Sequence, residues 1–201
     1  MLYAFLKKTD CLIMKEANMR IKERIFTLPD GREITIKSAG PEDAMKVKLH
    51  REATARESHF MAREPEDGPI NLEGIQEGLA NFAESEKNFM VNAYLDDELV
   101  GDLGVSVVRP HIKFLHRGYL GMSIRQEYTG MGLGSFMMKV ALEQAKKNGF
   151  EQVELGVYSD NARARHMYTK MGFKEYGKNP RAFKLKDGTY VDEIIMVNFL
   201  E

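Results

Sequence analysis

The sequence has little of what marks several other classes of protein. It holds a single cysteine, Cys11, and no tryptophan among 201 residues, so no internal disulfide can form. No apolar run reaches the roughly 18 residues that suggest a membrane-spanning helix. The start of the chain has a short apolar stretch before Lys7 and Lys8, without the long apolar region and cleavage pattern of a signal peptide. A cytoplasmic protein is therefore expected.

A charge excess of one sign is also absent. The 29 Lys and Arg residues nearly balance the 30 Asp and Glu residues, for a formal net charge of −1. Such a balance gives no reason to expect nucleic acid or a membrane surface as a partner. The length and the apolar fraction of 43% suit one globular domain. We expect an N-terminal extension at 1–24, followed by a single domain at 25–201.

Hydrophobic periodicity predicts a chain of mixed helices and strands. The predicted strands are 32–37, 89–95, 98–108, 112–125, 151–158, 173–177 and 190–200, and the predicted helices are 41–58, 72–87, 133–147 and 161–171. This order favours an α/β or α+β sandwich around a mixed sheet.

Three glycines at alternate positions lie between the long central strand, 112–125, and the helix that follows it. Gly130, Gly132 and Gly134 precede an apolar pattern of helical spacing. The first turn of a helix has unpaired N–H groups and the positive end of the helix dipole, which together suit a phosphate. Glycine lets such a backbone bend and lets a ligand approach closely. The pattern predicts a phosphate-binding loop, with a plain turn at the helix entry as the alternative.

Two known phosphate loops fit this stretch poorly. A P-loop needs Gly-Lys-Ser/Thr at its end, whereas Gly134 is followed by Ser135 and Phe136. A dinucleotide fingerprint fits Gly130, Gly132 and Ser135 only loosely, and the chain lacks the further strand-helix units of that fold. A nucleotide-binding oxidoreductase is therefore disfavoured.

A third loop fits better. The stretch from Thr129 to Gly134 resembles the Gln/Arg-x-x-Gly-x-Gly/Ala loop of the GNAT (Gcn5-related N-acetyltransferase) family, with Thr129 in place of Gln or Arg. About 26 residues further on, Asn161, Ala164 and Tyr168 match the same family's Asn-x-x-Ala-x-x-x-Tyr-x-x-x-Gly-Phe element at every fixed position. The resemblance covers about residues 30–199, and its specific signal lies in 116–173.

The resemblance implies a GNAT-like fold and assigns a role to each motif. The fold is a mixed, mostly antiparallel central sheet of six to seven strands, flanked by about four helices. Acetyl-CoA is the implied acyl donor, and no metal is expected. The residues implied to bind it are Met122, Ser123 and Ile124 along the pantetheine arm, Thr129, Gly130, Met131, Gly132, Leu133, Gly134 and Ser135 around the pyrophosphate, and Asn161 and Tyr168 on the later helix.

Asn161 and Tyr168 lie seven residues apart, so they share one helix face. The resemblance makes Asn161 a hydrogen-bond partner of the cofactor arm and Tyr168 the acid that protonates the departing thiolate. A helix cap is the alternative role for Asn161, and a core aromatic is the alternative for Tyr168. Because Thr129 supplies no cation, Arg125 or Lys139 is expected to strengthen phosphate binding.

The general base is the most open assignment. The family often places a carboxylate at a position that corresponds to Gly118. In a regular strand, His116 lies on the same face as residue 118. An imidazole also has a pKa suited to a base near neutrality. A bulge at Gly118 would reverse the phase. Glu57, Glu64 and a water molecule are the alternatives.

The expected activity is an N-acetyltransferase that moves the acetyl group to a primary amine by direct attack in a ternary complex. The alternative is a non-catalytic acyl-CoA-binding or sensor module on the same fold. A small molecule, a protein N-terminus and a lysine all stay open as the acceptor, and a homodimer is allowed. Because 116–173 serves the cofactor, acceptor contacts are expected from 41–87 and 179–190.

Overall fold

Eight strands join one sheet in the computed structural model, which describes residues 21–201. The strands are β1 (Arg24–Thr27), β2 (Glu33–Lys37), β3 (Phe89–Leu95), β4 (Glu98–Val107), β5 (Arg117–Ile124), β6 (Gln152–Tyr158), β7 (Lys174–Lys184) and β8 (Tyr190–Phe199). Their order is β1-β2-β3-β4-β5-β6-β8-β7, and β5–β6 is the parallel pair among antiparallel neighbours. The mixed, mostly antiparallel sheet is confirmed, with more strands than the six to seven predicted.

Within residues 21–201, four α-helices cover the two faces of this sheet. They are α1 (Ala44–Glu57), α2 (Leu72–Glu84), α3 (Leu133–Lys147) and α4 (Ala162–Lys170). Strand β3 shows how the layers divide: Met90 and Tyr94 join the apolar cluster of α1 and α2, whereas Val91 and Ala93 join the cluster that contains the buried face of α3. Both faces of the strand are buried, which explains its nearly continuous apolar run.

Strands β5 and β6 pair along a short stretch and then separate. Their register joins Arg117 to Gln152, Gly118 to Val153 and Tyr119 to Glu154. Beyond that point β5 continues against β4, and β6 continues against β8. The two facing edges therefore diverge into a V-shaped opening, along which backbone groups are left for other partners.

The central strand starts later than predicted. Instead of a strand from 112, the chain forms one 3-10 turn at Ile112–Phe114, and β5 begins at Arg117. The side chain of Ile112 is 89% exposed, so this apolar residue is not buried against the sheet. His116 precedes the strand, and its carbonyl oxygen accepts hydrogen bonds from the backbone N–H groups of Glu151 and Gln152.

Strand β7 is longer than predicted. A strand at 173–177 was expected, but the paired segment is Lys174–Lys184. It lies at the end of the sheet, most of its residues are exposed or half-buried, and its register shifts at two places. Exposure and irregular pairing remove the apolar alternation by which such an edge strand is recognised in sequence.

Part of the predicted N-terminal extension belongs to the folded domain. Residues 1–20 lie outside the described residues, so that part of the prediction stays untested. Ile21 is buried in the main apolar cluster, and its N–H donates to Ser38 Oγ at 3.2 Å. Between residues 21 and 201, no helix is long and apolar enough to cross a membrane.

Candidate active site

A cavity of about 1290 Å³ opens where β5 and β6 separate. This volume exceeds that of many small-molecule pockets. The lining comes from 54–61 and 64–65, the end of β5 at 122–124, most of the segment 126–135, most of 160–170 in and just before α4, and the β7–β8 turn at 185–187. One chamber thus receives residues from both faces of the sheet.

Most of the predicted site residues meet in this cavity. Those that line it are Met122, Ser123, Ile124, Thr129, Gly130, Gly132, Gly134, Ser135, Asn161 and Tyr168. Leu133 is instead fully buried in the core, and Met131 packs half-buried against it. Only the backbone groups of these two residues are thus suited to ligand contact.

The glycine loop ends at a helix terminus without a side-chain cap. Gly130 has a φ of +79° and Gly132 a φ of +89°, in the left-handed region that favours glycine. Gly132 is the N-cap of α3, and no side chain caps it. The N–H groups of the first turn are therefore left for solvent or a ligand.

Gly134 lines the cavity and also permits close packing. A Cβ atom at this position would lie 3.2 Å from Ile124 Cδ1 and 3.2 Å from Met167 Sδ. The glycine therefore lets α3 lie close against both β5 and α4. At Gly130, by contrast, a Cβ atom would meet no atom within 4 Å, so its left-handed backbone explains the glycine there.

Arg163 brings a guanidinium to the position where the loop lacks one. Its Nη1 donates to Thr129 Oγ1 at 2.6 Å, and Thr129 Oγ1 donates to the carbonyl of Gln126 at 2.8 Å. Arg163 lines the cavity and is exposed. The sequence prediction missed this residue, although it lies inside the second motif, because the contact joins positions 34 residues apart.

The two cations expected from sequence lie elsewhere. Arg125 donates from Nε to Glu57 Oε1 at 2.6 Å and from Nη1 to Glu98 Oε1 at 2.9 Å. The hydrogen bond to Glu57 raises the pKa of Arg125 above its usual range, so the guanidinium is firmly held in this pair. Lys139 is exposed on α3 and does not line the cavity.

Asn161 caps α4 and still faces the cavity. Its Oδ1 accepts the N–H of Ala164 at 3.1 Å, which confirms the helix-cap role. The amide NH₂ group is a separate donor, so the cap does not use up the hydrogen-bonding capacity of the side chain. Asn161 can therefore hold α4 and contact a ligand at the same time.

Tyr168 is a core aromatic that reaches the cavity lining. It is 7% exposed, and its ring centroid lies 5.8 Å from that of Phe173. Burial is the main cause that raises the pKa of Tyr168 to about 12, with a smaller contribution from Tyr119. The phenol therefore stays protonated near neutral pH, as an acid requires.

The bases considered from sequence are poorly placed. His116 does not line the cavity; it precedes Met122 by roughly 20 Å of extended chain, at about 3.3 Å per residue. Glu57 is engaged by Arg125 and by the N–H of Gln126, at 2.6 Å and 2.7 Å. Glu64 lines the cavity, but its carboxylate lies 3.1 Å from the ammonium group of Lys186.

Aromatic rings gather beside the end of α1. His59 and Phe60 have ring centroids 4.0 Å apart, and Phe60 lies 5.8 Å from Tyr158. Tyr158 in turn stacks on Phe183 at 3.7 Å. Asp160 adds a carboxylate, with Oδ2 at 3.2 Å from His59 Nε2. Here the cavity has a partly apolar wall with negative charge nearby.

A metal centre is not visible in the part of the chain that the structure describes. No group of three or more His, Cys, Asp and Glu side chains there is arranged to hold an ion.

The comparison with protein families identifies the chain. The model of the acetyltransferase (GNAT) family matches residues 50–173, which contain the end of α1, the V-shaped opening, the glycine loop and α4. This chain belongs to the GNAT family. The matched range contains both sequence motifs and the helix and strand between them.

Curated relatives within the GNAT family match over shorter stretches. The L-amino acid N-acetyltransferase AaaT of Escherichia coli is 30% identical over 106 residues, which cover 52% of this chain and 64% of that protein. The mycothiol acetyltransferase of Tsukamurella paurometabola is 38% identical over 58 residues, covering 29% of this chain and 20% of that protein. The chain thus spans less than two thirds of either relative.

Solved GNAT structures share the fold over most of the chain. A GNAT acetyltransferase from Streptococcus pneumoniae superposes with a TM-score of 0.78 at 25% identity, covering 83% of this chain and 99% of that one. The protein yncA of Salmonella typhimurium, solved with acetyl-CoA, has a TM-score of 0.72 at 16% identity, covering 84% and 94%. The GNAT-like architecture expected from the motifs is confirmed.

Proposed function

We propose that this GNAT protein transfers the acetyl group of acetyl-CoA to a primary amine by direct attack in a ternary complex. One observation carries the proposal: a single cavity contains the diverging edge of β5, the uncapped start of α3 and Tyr168, next to an aromatic and acidic wall. The first three suit a cofactor with a pyrophosphate and an amide-bearing arm, and the wall leaves room for a second substrate. We place this activity in the cytoplasm.

The residues present fit acetyl-CoA. The uncapped N–H groups of α3 suit a pyrophosphate, and the exposed guanidinium of Arg163 adds a positive charge beside them. The unpaired edge of β5 at 122–124 suits an amide-bearing arm, because it offers backbone donors and acceptors as a sheet edge does for an added strand. When bound, acetyl-CoA supplies a thioester carbonyl for attack by nitrogen.

Three parts of the chain then act on the bound substrates. The loop and the edge of β5 orient the cofactor arm, which lowers the entropic cost of bringing two reactants together. Tyr168 holds a proton at its hydroxyl for the sulfur of the departing thiol. The aromatic wall near Phe60 and Tyr158 limits the access of water to the acceptor.

The acceptor class follows from charge and from the relatives. Glu64 and Asp160 line the cavity, and carboxylates attract a cationic amine. The L-amino acid N-acetyltransferase activity in the name of AaaT makes L-amino acids the first compounds to examine. Peptides with a free N-terminus, peptides with a lysine and small polyamines complete the panel.

A non-catalytic acyl-CoA-binding module is the second candidate. It is favoured by Gly118, which stands where the family often has a carboxylate. Such a module would bind the cofactor and show no turnover.

Two measurements test the proposal. Titration calorimetry with acetyl-CoA and, separately, with NAD should show binding of acetyl-CoA alone. Release of free thiol should then rise when an amine of the panel is added, compared with a sample that lacks amine. Binding of acetyl-CoA without amine-dependent thiol release would support the sensor module, and binding of neither compound would contradict both candidates.

A further inference from the structure

A buried histidine lies behind the cavity, bonded to a residue that lines it. His50 of α1 is 1% exposed, and its Nε2 lies 2.9 Å from Ser123 Oγ. On its other side, Nδ1 lies 3.1 Å from the carbonyl oxygen of Leu99. Ser123 is half-buried at the end of β5 and lines the cavity. The serine is thus the link between the histidine and the chamber.

The tautomer of His50 follows from its two partners. A carbonyl oxygen accepts only, so Nδ1 carries the hydrogen in the neutral ring. Nε2 then has a free lone pair and accepts the hydroxyl proton of Ser123. This arrangement has the parts of an activated hydroxyl: a serine, a base in contact with it, and a third group, Leu99, that orients the base.

Charged groups around His50 come from three elements. Asp102 of β4 favours the protonated imidazole, whereas Arg125 after β5 and Arg51 of α1 oppose it. Burial is the largest cause and lowers the pKa of His50. Asp102 is itself held by Arg51 Nε at 3.2 Å and by Asn92 Nδ2 at 3.1 Å. The ring is therefore neutral near neutral pH, with Asp102 near enough to favour a transient charge on it.

We propose that Ser123 and His50 form the proton relay that deprotonates the acceptor amine, a role that rests on the proposed acetyl transfer. As the amine nitrogen bonds to the thioester carbonyl carbon, it becomes positive and one N–H bond breaks. That proton passes to Ser123 Oγ, while the hydroxyl proton of Ser123 passes to His50 Nε2. The carbon–sulfur bond breaks and the sulfur takes its proton from Tyr168.

The imidazolium then returns its proton through Ser123 to water, and Tyr168 regains one from water. For a neutral amine, the proton taken up by His50 matches the proton given by Tyr168, so the transfer releases no net proton. An amine that arrives protonated first loses a proton to water, and that proton is the one released per acetyl group transferred. The relay thereby supplies a base that is in contact with the cavity lining, which His116 is not, and that is not held in an ion pair, as Glu57 and Glu64 are. It also explains why Gly118 needs no carboxylate.

The test compares the pH dependence of kcat/KM in the wild type, Ser123→Ala and Ser123→Thr, with the best acceptor of the amine panel. General-base catalysis contributes roughly a hundred- to ten-thousandfold, so Ser123→Ala should lose about that factor in kcat. The fall of kcat/KM at acidic pH should also disappear in Ser123→Ala, because this acidic limb of the pH profile reports the base of the free enzyme. Ser123→Thr keeps a hydroxyl and should retain the limb.

The matched control is Ser38→Ala. Ser38 Oγ donates to the carbonyl of Met90 at 2.9 Å, away from the cavity, so this variant also loses a partly buried serine hydrogen bond. It should keep the wild-type kcat and pH profile. Binding of acetyl-CoA by calorimetry should be the same in all four proteins, since the substitutions keep the backbone groups of β5 that we assign to the cofactor arm.

The outcomes separate the relay from the acetyl transfer itself. Full activity and an unchanged acidic limb in Ser123→Ala would overturn the relay and leave the transferase proposal standing. A loss of kcat equal to that of Ser38→Ala, with the limb retained, would show a structural role for Ser123 and overturn it too. A wild type that transfers to no amine would overturn the proposed function, and the relay with it.

Discussion

Tyr168 combines a structural role with the acid role that we propose for it. Its ring packs against Phe173 within the main core, yet it also lines the cavity. Burial keeps the phenol protonated far above neutral pH, since it raises the pKa to about 12. The phenol therefore holds its proton at neutral pH, which the proposed role as acid toward the departing thiolate requires.

Tyr168→Phe should therefore lower kcat while the core remains packed. The change removes one oxygen and keeps the ring. The loss in kcat should be roughly ten- to ten-thousandfold, and the upper limit is that of general acid catalysis. Steady-state kinetics with the amine panel measures it, and calorimetry checks that acetyl-CoA affinity is retained. Unchanged turnover in this variant would leave Tyr168 with its core role alone.

At the scale of elements, α4 completes the loop that precedes α3. The loop has no cation of its own at Thr129, and Arg163 reaches it from the first turn of α4. Two separate elements thus meet at the phosphate-binding site that we propose, where Gly134 lets α3 pack close to Met167 of α4. The rest of α4 supplies Tyr168 to the same cavity.

Arg163→Gln should weaken the binding of acetyl-CoA by roughly ten- to hundredfold, because a hydrogen bond to a charged group contributes about 1.5–3 kcal/mol. The salt dependence of binding should also decrease, since one charge is lost. Calorimetry at two ionic strengths measures both effects without relying on turnover.

The same helix offers a matched control. Arg165 binds the carboxylate of Glu175 at 2.7 Å and does not line the cavity. Arg165→Gln removes an identical charge from α4 and should leave the affinity for acetyl-CoA unchanged. Equal effects of the two substitutions would contradict a direct role for Arg163.

At the scale of the whole molecule, an ion pair closes the base of the V-shaped opening. Arg117 donates to Glu154 from Nε at 2.5 Å and from Nη2 at 2.7 Å, and the Glu154 side chain is 5% exposed. Tyr119 and Glu154 form the last pair of the β5–β6 register. The ion pair therefore joins the two strands just before they separate.

This pair should make stability depend on pH. The hydrogen bonds from Arg117 lower the pKa of Glu154 below its ordinary value of 4.5. A lowered carboxyl pKa contributes stability above about pH 4.5 and loses it as pH falls through the folded-state pKa. Glu154→Gln should cost about 1.5–3 kcal/mol at pH 7, and the difference from wild type should shrink below pH 4.5. Urea unfolding at both pH values measures it.

Glu175→Gln is the corresponding control, because Glu175 forms an ion pair at the surface with a side chain 45% exposed. Exposed pairs contribute about 0–1 kcal/mol. A loss for Glu154→Gln no larger than that of this control would show that the Arg117 pair does not anchor the two strands.

The sequence by itself determined the elements and motifs that depend on near neighbours. Strand β3 has the predicted limits, and α4 differs from its prediction by one residue at each end. Alternation and helical spacing act over a few residues, so they are visible in one stretch of chain. The glycine loop and the Asn161–Tyr168 pair were recognisable for the same reason, since each is a local spacing of residue types.

Only the tertiary structure decided which distant residues meet. Ser123 lies 73 residues from His50, and Thr129 lies 34 residues from Arg163. No local period encodes these contacts; they follow from the order of the strands and from where β5 leaves β6. The irregular edge strand β7 and the late start of β5 after His116 were decided in the same way, by pairing and exposure rather than by the apolar pattern.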